Sequence, residues 1–374
     1  MSNQLLPGKT IGIIGGGQLG RMMTISAKEM GYDVVVLDPT PNSPCGQVAD
    51  QQILADYDDL EAIKKLSSLS DVITYEFENI DYEALAWLES HANLPQGSKL
   101  LKITQDRGFE KQAISDAGAE VAPYQLIDTI QDLRTGIEQL GTPCVLKTRR
   151  GGYDGKGQFV IKSVKEIDSA AKLLEVGACI LEAWIPFEKE VSVIVTRNPV
   201  GEVKTFPVAE NIHHENILQQ TIVPARITPE VEEHAIEMAM KLANTFELVG
   251  TLAVEMFVTR DGEIYINELA PRPHNSGHYT IDACETSQFE QHIRSVCNLP
   301  LGETTLLRPV VMVNILGEHM EETLEIVKIS SSAKLHLYGK KEAKVKRKMG
   351  HINILGNTVD EVFQKLERID IWCR

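Results

Sequence analysis

The chain alternates apolar runs with glycine turns and helical spacings from its first residues. The run Thr10–Ile14 leads into Gly15, Gly16, Gly17, Gln18, Leu19 and Gly20, then a helical stretch to Met30, then an apolar run over 32–37 closed by Asp38. Strand, glycine turn, helix and strand in that order predict a βαβ unit. A helical pattern over 60–69 before an apolar run at 72–77 extends it. The first hundred residues therefore predict an open, Rossmann-like parallel sheet.

The middle of the chain changes character. Helices are predicted over 105–117 and 130–140, each stopped by a glycine, Gly118 and Gly141. A strand at 144–147 runs into a second glycine-rich stretch at 149–158. A strand at 159–161, a helix to 174 and a strand at 179–182 follow. Strands at 190–196 and 202–207, a long helix at 229–246 and a hairpin at 250–269 complete a block of α+β material. From about 304 the tail alternates apolar and polar residues at 310–315 and 334–338 and ends in a helix near 359–368, which predicts a small β-rich domain. The expected division is 1–104, 105–303 with a flap around 148–160, and 304–374.

Composition narrows the function. With 374 residues, 43% apolar and 24% charged, the chain has enough apolar surface for two or three folded domains. The net charge of −16 repels a polyphosphate strand and argues against nucleic-acid binding. No apolar run approaches the roughly 18 residues of a membrane span, and the start lacks a secretory layout, so no membrane partner and a cytoplasmic location are expected. Cys45, Cys144, Cys179, Cys284, Cys297 and Cys373 show no Cys-x-x-Cys spacing, which points to reduced structural thiols.

Two glycine loops carry candidate chemistry. Gly15, Gly17 and Gly20 fit G-x-G-x-x-G, and Asp38 stands where a ribose-binding acid would, so an NAD(P) site is one reading. The same backbone N–H groups and helix N-terminus would serve any phosphate or carboxylate. The second loop sets Gly151, Gly152, Gly155 and Gly157 among Tyr153, Asp154 and Lys156 between two strands. Such a flap can close its amides over a triphosphate, with Lys156 and Lys147 as point charges. An exposed hairpin with a solvated lysine is the plainer alternative.

The most informative segment is the hairpin. Asp261-Gly262 signals a two-residue type I′ turn. That register sets Arg260 opposite Glu263, Val258 opposite Tyr265 and Glu255 opposite Glu268. Two carboxylates about 5 Å apart on one face are unfavourable unless a cation lies between them. Oxygen ligands with room for water and phosphate suit Mg2+, and the plainer alternative is two acids exposed at the sheet surface that merely tolerate each other. Strict alternation sends Asn267 to the other face, so a metal role for it requires a bulge or a strand end. The following loop presents Arg272, His274, Asn275, Ser276 and His278 between prolines, a rigid set of donors for a small anion. Residues 340–348 hold six cations in nine positions, either a solvated face or a landing site for a phosphomonoester. His213-His214 lacks the helical spacing of a metal pair.

The flap, the strand 180–185, Glu190 and the Glu255/Asn267-Glu268 hairpin stand in the order found in ATP-grasp ligases, and residues 15–22, 152–158, 267–278 and 347–351 carry a closer resemblance. The chain closely resembles the purine-biosynthesis branch of that family, the N5-carboxyaminoimidazole ribonucleotide synthetases, along essentially its whole length. The resemblance implies ATP-dependent carboxylation of 5-aminoimidazole ribonucleotide by bicarbonate through carboxyphosphate, with ATP and Mg2+ as cofactors and a homodimer as the assembly. It implies that Arg107 and Lys147 contact ATP phosphates under a flap of Gly152, Tyr153, Asp154, Gly155, Lys156, Gly157 and Gln158. Glu182, Ala183, Trp184 and Ile185 would read adenine and Glu190 the ribose, with His213 touching the nucleotide.

Glu255 and Glu268 would bind Mg2+ with Asn267 assisting, and Arg272, His274 and Asn275 would hold bicarbonate or carboxyphosphate. Gln18, Leu19, Glu76, Tyr153, Asp154, Lys340 and Arg347 would surround the aminoimidazole ribonucleotide. The crowding of the basic run leaves open which of Lys340, Lys346, Arg347 and Lys348 meets its phosphate. A related ligase adding formate or another acyl group, an NAD(P)-dependent oxidoreductase and a non-catalytic nucleotide-binding regulator are the rival readings.

Overall fold

A computed structural model describes residues 4–152 and 155–369. Tyr153, Asp154 and Cys373 lie outside the described residues. The fold is mixed α/β and α+β, in three sheets. The first contains β1 (Thr10–Ile14), β2 (Asp33–Leu37), β3 (Gln51–Ile53) and β4 (Val72–Tyr75), all parallel in the order β3-β2-β1-β4. β1 and β4 are almost wholly buried because helices cover both faces, which is why they read as continuous apolar runs. Strand order reverses between β1 and β4, and ligand crevices form at such a point, beyond the carboxyl ends of the strands. The glycine loop and Glu76 both sit there.

The second sheet is antiparallel: β5 (Tyr124–Ile127), β6 (Cys144–Thr148), β7 (Gln158–Ile161) and β8 (Cys179–Ala183), in the order β5-β8-β6-β7. The glycine flap joins β6 to β7. The helix expected to reach 174 is instead a four-residue turn, Ile167–Ala170, between 3-10 segments. Glu166 folds back onto the N–H groups of Lys162 and Ser163, which tightens the first turn.

The third sheet contains β9 (Phe187–Arg197), β10 (Val203–Thr205), β11 (Ala209–His214), β12 (Ile217–Val223), β13 (Gly250–Thr259), β14 (Ile264–Ala270), β15 (Val310–Leu316), β16 (Ala333–Leu337) and β17 (Lys348–Leu355). Its path is β14-β13-β9-β11-β12-β15-β17-β16, with β10 on β9. The C-terminal strands thus continue the central sheet, since β15 pairs with β12 at Gln220↔Val313. The β11–β12 hairpin, the helix Met320–Ile329 and β17 have no counterpart in the sequence reading.

The Glu255 hairpin departs from the expected register in two places. Its tip is a three-residue loop: Thr259 N–H donates to Glu263 (2.9 Å), Gly262 N–H donates to Thr259 (3.0 Å), and Gly262 takes φ +85°. Phe257, not Val258, therefore faces Tyr265, and Val258 faces Ile264. Only Gly262 takes a positive φ, whereas a type I′ turn needs two central residues there. A bulge at Asn267 then shifts the ladder back by one, so Glu255 does face Glu268.

Candidate active site

A cleft of about 630 Å³ opens where the three sheets meet, walled by the glycine loop, the flap, β9, β13, β14 and the loop after β14. Gln18, Leu19 and Glu76 line its N-terminal wall. Glu76 accepts from Gly20 N–H (2.5 Å) and from Gly17 N–H, while Asp38 accepts from Gly16 N–H (2.7 Å) and the Tyr57 hydroxyl (2.6 Å). Burial raises the Glu76 carboxyl above its ordinary range, and the two N–H donors oppose it. A Cβ on Gly17 would lie 2.6 Å from Glu76 Oε1, so glycine is required for this approach. Both features that suggested a dinucleotide are thus engaged within the chain, the glycine loop by Glu76 and Asp38, and Asp38 by Gly16 and Tyr57.

At the opposite wall Arg107, first residue of the helix Arg107–Asp116, donates to Glu268 at 2.9 Å and to the Gly152 carbonyl at 3.5 Å. Lys147 on β6 donates to Glu182 at 3.0 Å. Glu182 is buried, so its side chain lies behind the cleft wall. Burial alone would raise its carboxyl, yet Lys111 and Lys147 hold it down at about 2. Trp184 lines the cleft, whereas Ala183 and Ile185 do not, and the Trp184 N–H already donates to the Pro143 carbonyl at 3.3 Å. Gly152, Gly155, Lys156 and Gln158 face the cleft, while the Gly157 carbonyl turns back to Thr148 N–H (2.8 Å). Glu190 and His213 pair at 3.1 Å on neighbouring strands; burial disfavours the imidazolium, but Glu190 raises its pKa on balance.

Glu255, Asn267 and Glu268 all line the cleft: from the observed tip register alternation already sets Asn267 on the face of Glu255, and the bulge adds Glu268 to it. Among the described residues no three His, Cys, Asp or Glu side chains form a closed metal cage. The donor set is two carboxylates and an amide oxygen, Asn267 Oδ1, which is buried without a hydrogen-bond partner. That set, with places left for phosphate oxygens and water, fits Mg2+.

His274 lies 2.9 Å from Glu255 through Nε2, while its Nδ1 accepts from Ser276 N–H at 3.2 Å. Burial opposes the charge on Glu255, yet His274 beside it holds that carboxyl below its ordinary range. Arg272 pairs with Glu78 (2.9 Å), and Asn275 exchanges two hydrogen bonds with Asn314 of β15 (3.0 and 2.8 Å).

The basic run is resolved differently from the expectation. Lys340 donates to the Lys348 carbonyl (2.7 Å), and exposed Arg347 donates to the Glu342 carbonyl (3.0 Å); neither lines the cleft. Lys346 pairs with Glu215 at 2.7 Å, and it does not line the cleft either. Lys348, at the start of β17 beside a bulge against Leu316, is the cation of the run that reaches the cleft.

Comparison with known proteins explains the arrangement. Family models match in series: a ribonucleotide synthetase preATP-grasp domain at 8–105, an ATP-grasp domain at 112–289 and a phosphoribosylaminoimidazole carboxylase C-terminal domain at 310–365. The N5-carboxyaminoimidazole ribonucleotide synthase of Bacillus subtilis is 60% identical over 98% of this chain and 97% of its own. The chain belongs to the N5-carboxyaminoimidazole ribonucleotide synthase family. A solved synthetase of this family with ADP superposes at TM-score 0.98 with 64% identity, covering 100% of this chain and 99% of that one. The Aspergillus clavatus synthase in complex with ADP and 5-aminoimidazole ribonucleotide matches at TM-score 0.91 and 32% identity, over 96% and 97% of the two chains.

Several residues around this synthase-family cleft escape the sequence reading: Glu78, Glu110, Lys111, Asn216, Phe257 and Asn314. Glu110 accepts from Leu269 N–H (2.7 Å), and Lys111 donates to the Asn267 carbonyl (2.9 Å). Both follow Arg107 at i+3 and i+4, a spacing that places them on its helix face and could have drawn attention to them. No local signal marks Glu78 or Asn314.

Proposed function

We propose that the chain is an ATP-dependent carbon–nitrogen ligase that carboxylates 5-aminoimidazole ribonucleotide with bicarbonate in purine biosynthesis toward IMP. Bicarbonate oxygen attacks the γ-phosphorus of ATP and ADP leaves, giving carboxyphosphate. The exocyclic amine then takes the carboxyl group, either directly or as CO2, and phosphate and a proton depart. The observation that carries this reading is the Glu255/Glu268 pair with Asn267 between Arg107 on one side and the Arg272–His274 loop on the other.

Residues 1–104 present the ribonucleotide through Gln18, Leu19 and Glu76, residues 105–303 hold the nucleotide, and 304–374 contribute the cation for the substrate phosphate. Arg107 and Lys147 balance charge on the triphosphate, and Glu182 to Ile185 with Glu190 and His213 bound the base and ribose. Glu255, Asn267 and Glu268 would hold Mg2+, which supplies charge neutralisation between nucleotide phosphates. Arg272, His274 and Asn275 orient bicarbonate, and their partners Glu78, Glu255 and Asn314 fix them before substrate arrives. The flap, whose sequence includes Tyr153 and Asp154, closes water away from carboxyphosphate, which hydrolyses readily. A homodimer acting in the cytoplasm completes the reading.

The deciding experiment is phosphate release from ATP with and without bicarbonate and 5-aminoimidazole ribonucleotide. Full turnover requires both. Stimulation by formate in place of bicarbonate would favour the acyl-adding relative, and ATP binding without turnover would favour a regulator. The NAD(P) reading is disfavoured because Glu76 and Asp38 already hold the glycine-loop N–H groups.

A further inference from the structure

The bulge at Asn267 decides which group faces Glu255. From the hairpin tip the register runs Val258↔Ile264, Phe257↔Tyr265, Met256↔Ile266, and continued without interruption it would set Glu255 opposite Asn267. Glu268 would then turn to the other face of the sheet, since a one-residue shift reverses every side chain. The extra residue therefore creates the carboxylate pair. A bulge also breaks the ladder and leaves carbonyls in need of donors from elsewhere.

The helix Arg107–Asp116 and the segment after it supply what the bulge needs. Lys111 is fully buried and does not line the cleft. Its ammonium lies 2.9 Å from the Asn267 carbonyl and 3.4 Å from that of Ile266, and its third neighbour is Glu182 at 3.5 Å. One turn position earlier, Glu110 takes the Leu269 N–H (2.7 Å), and the Glu120 carbonyl takes that of Ile266 (2.7 Å). Residues 266–269 are thus clamped from outside the hairpin at both kinds of backbone group. An ammonium with three donors suits two carbonyls and a carboxylate.

We propose that Lys111 is a positioning residue for the reaction: it fixes the bulged register that sets Glu268 opposite Glu255, and through Glu182 it ties that register to β8 at the nucleotide-base end. The inference rests on the reading of Glu255, Asn267 and Glu268 as the Mg2+ site. Lys111 touches neither substrate nor ion.

The test is calorimetric binding of ADP to the full-length protein with Mg2+ and with EDTA, for the wild type, Lys111→Met and Lys111→Arg. The ratio of the two affinities isolates the metal end, because changes at the base end cancel. Lys111→Met should lose about 10- to 100-fold of the Mg2+-dependent gain, the usual effect of removing a partner behind metal ligands. Lys111→Arg, which keeps donors and charge, should recover part of it. A merely structural role would lower the melting temperature and leave the ratio intact, so an unchanged ratio in folded Lys111→Met overturns the inference. Should Lys111→Met fail to fold, Lys111→Gln, which removes the charge and the third donor, decides: a reduced ratio supports the clamp and an unchanged one overturns it. Absence of any Mg2+ gain in the wild type would overturn the metal reading and this inference together.

Discussion

His274 and Glu255 are joined by an imidazole-to-carboxylate contact of 2.9 Å that links the anion loop to the acidic ladder. Contacts from Ser276 to Nδ1 hold the ring so that Nε2 points at the carboxylate. Replacing His274 by Asn should lower phosphate release about 10- to 100-fold, as for other groups that orient a metal ligand. Its companion Glu268→Gln should abolish Mg2+-dependent phosphate release while circular dichroism and the melting temperature show an intact fold. Full activity in Glu268→Gln would refute the facing-carboxylate reading.

Glu76 fills the anion-binding end of the first glycine loop, and removing it exposes that end. Glu76→Ala should destabilise the protein by about 1–3 kcal/mol, the cost of leaving buried donors unpaired. Added inorganic phosphate should raise the melting temperature of this variant more than that of the wild type, because the vacated N–H groups then accept an external anion. Equal responses would show that the loop does not hold its carboxylate through the N–H groups of Gly17 and Gly20.

Lys348 reaches the cleft from a run of cations whose other members do not line it. Lys348→Ala should raise the KM for the ribonucleotide about tenfold, in keeping with one charged hydrogen bond, and change that for ATP far less. Arg347→Ala should have the smaller effect of the two on steady-state kinetics. A larger effect at Arg347 would mean that the turn between β16 and β17 folds inward when the ribonucleotide binds.

The parallel sheet and the glycine flap were legible because their signals are local: apolar runs buried on both faces, and glycines where the chain turns sharply. The facing of Glu255 and Glu268 was also legible, though by two shifts that cancel, a three-residue tip and the bulge at Asn267. The β11–β12 hairpin was not, since residues 209–223 mix Glu210, Asn211, His213 and His214 into strands that border the cleft and so lack clean alternation. The partners of site residues were hidden for a different reason. Glu78 meets Arg272, Asn314 meets Asn275 and Lys111 meets Asn267 only after the three sheets assemble, and no local pattern encodes such a distant contact.

His292 joins the N-terminal sheet to the central one and makes the assembly sensitive to acid. Its Nδ1 accepts from Thr251 N–H (3.2 Å) and its Nε2 lies 2.8 Å from the Thr74 hydroxyl, so the ring is held neutral with both nitrogens engaged. Burial pushes its pKa down to about 3 from the ordinary 6.5, and His278 and His351 are lowered by burial as well. Between those values the unfolded chain binds a proton that the folded site refuses, so stability rises with pH and falls as pH drops below 6.5 toward 3. The His292 contribution approaches about 1.4 kcal/mol per pH unit once well inside that window. Melting temperatures of the wild type and His292→Gln, measured from pH 7.5 to 5, should show the variant less stable at pH 7.5 but with a shallower acid loss, by roughly one proton. Parallel curves would mean that His292 takes up no proton on unfolding.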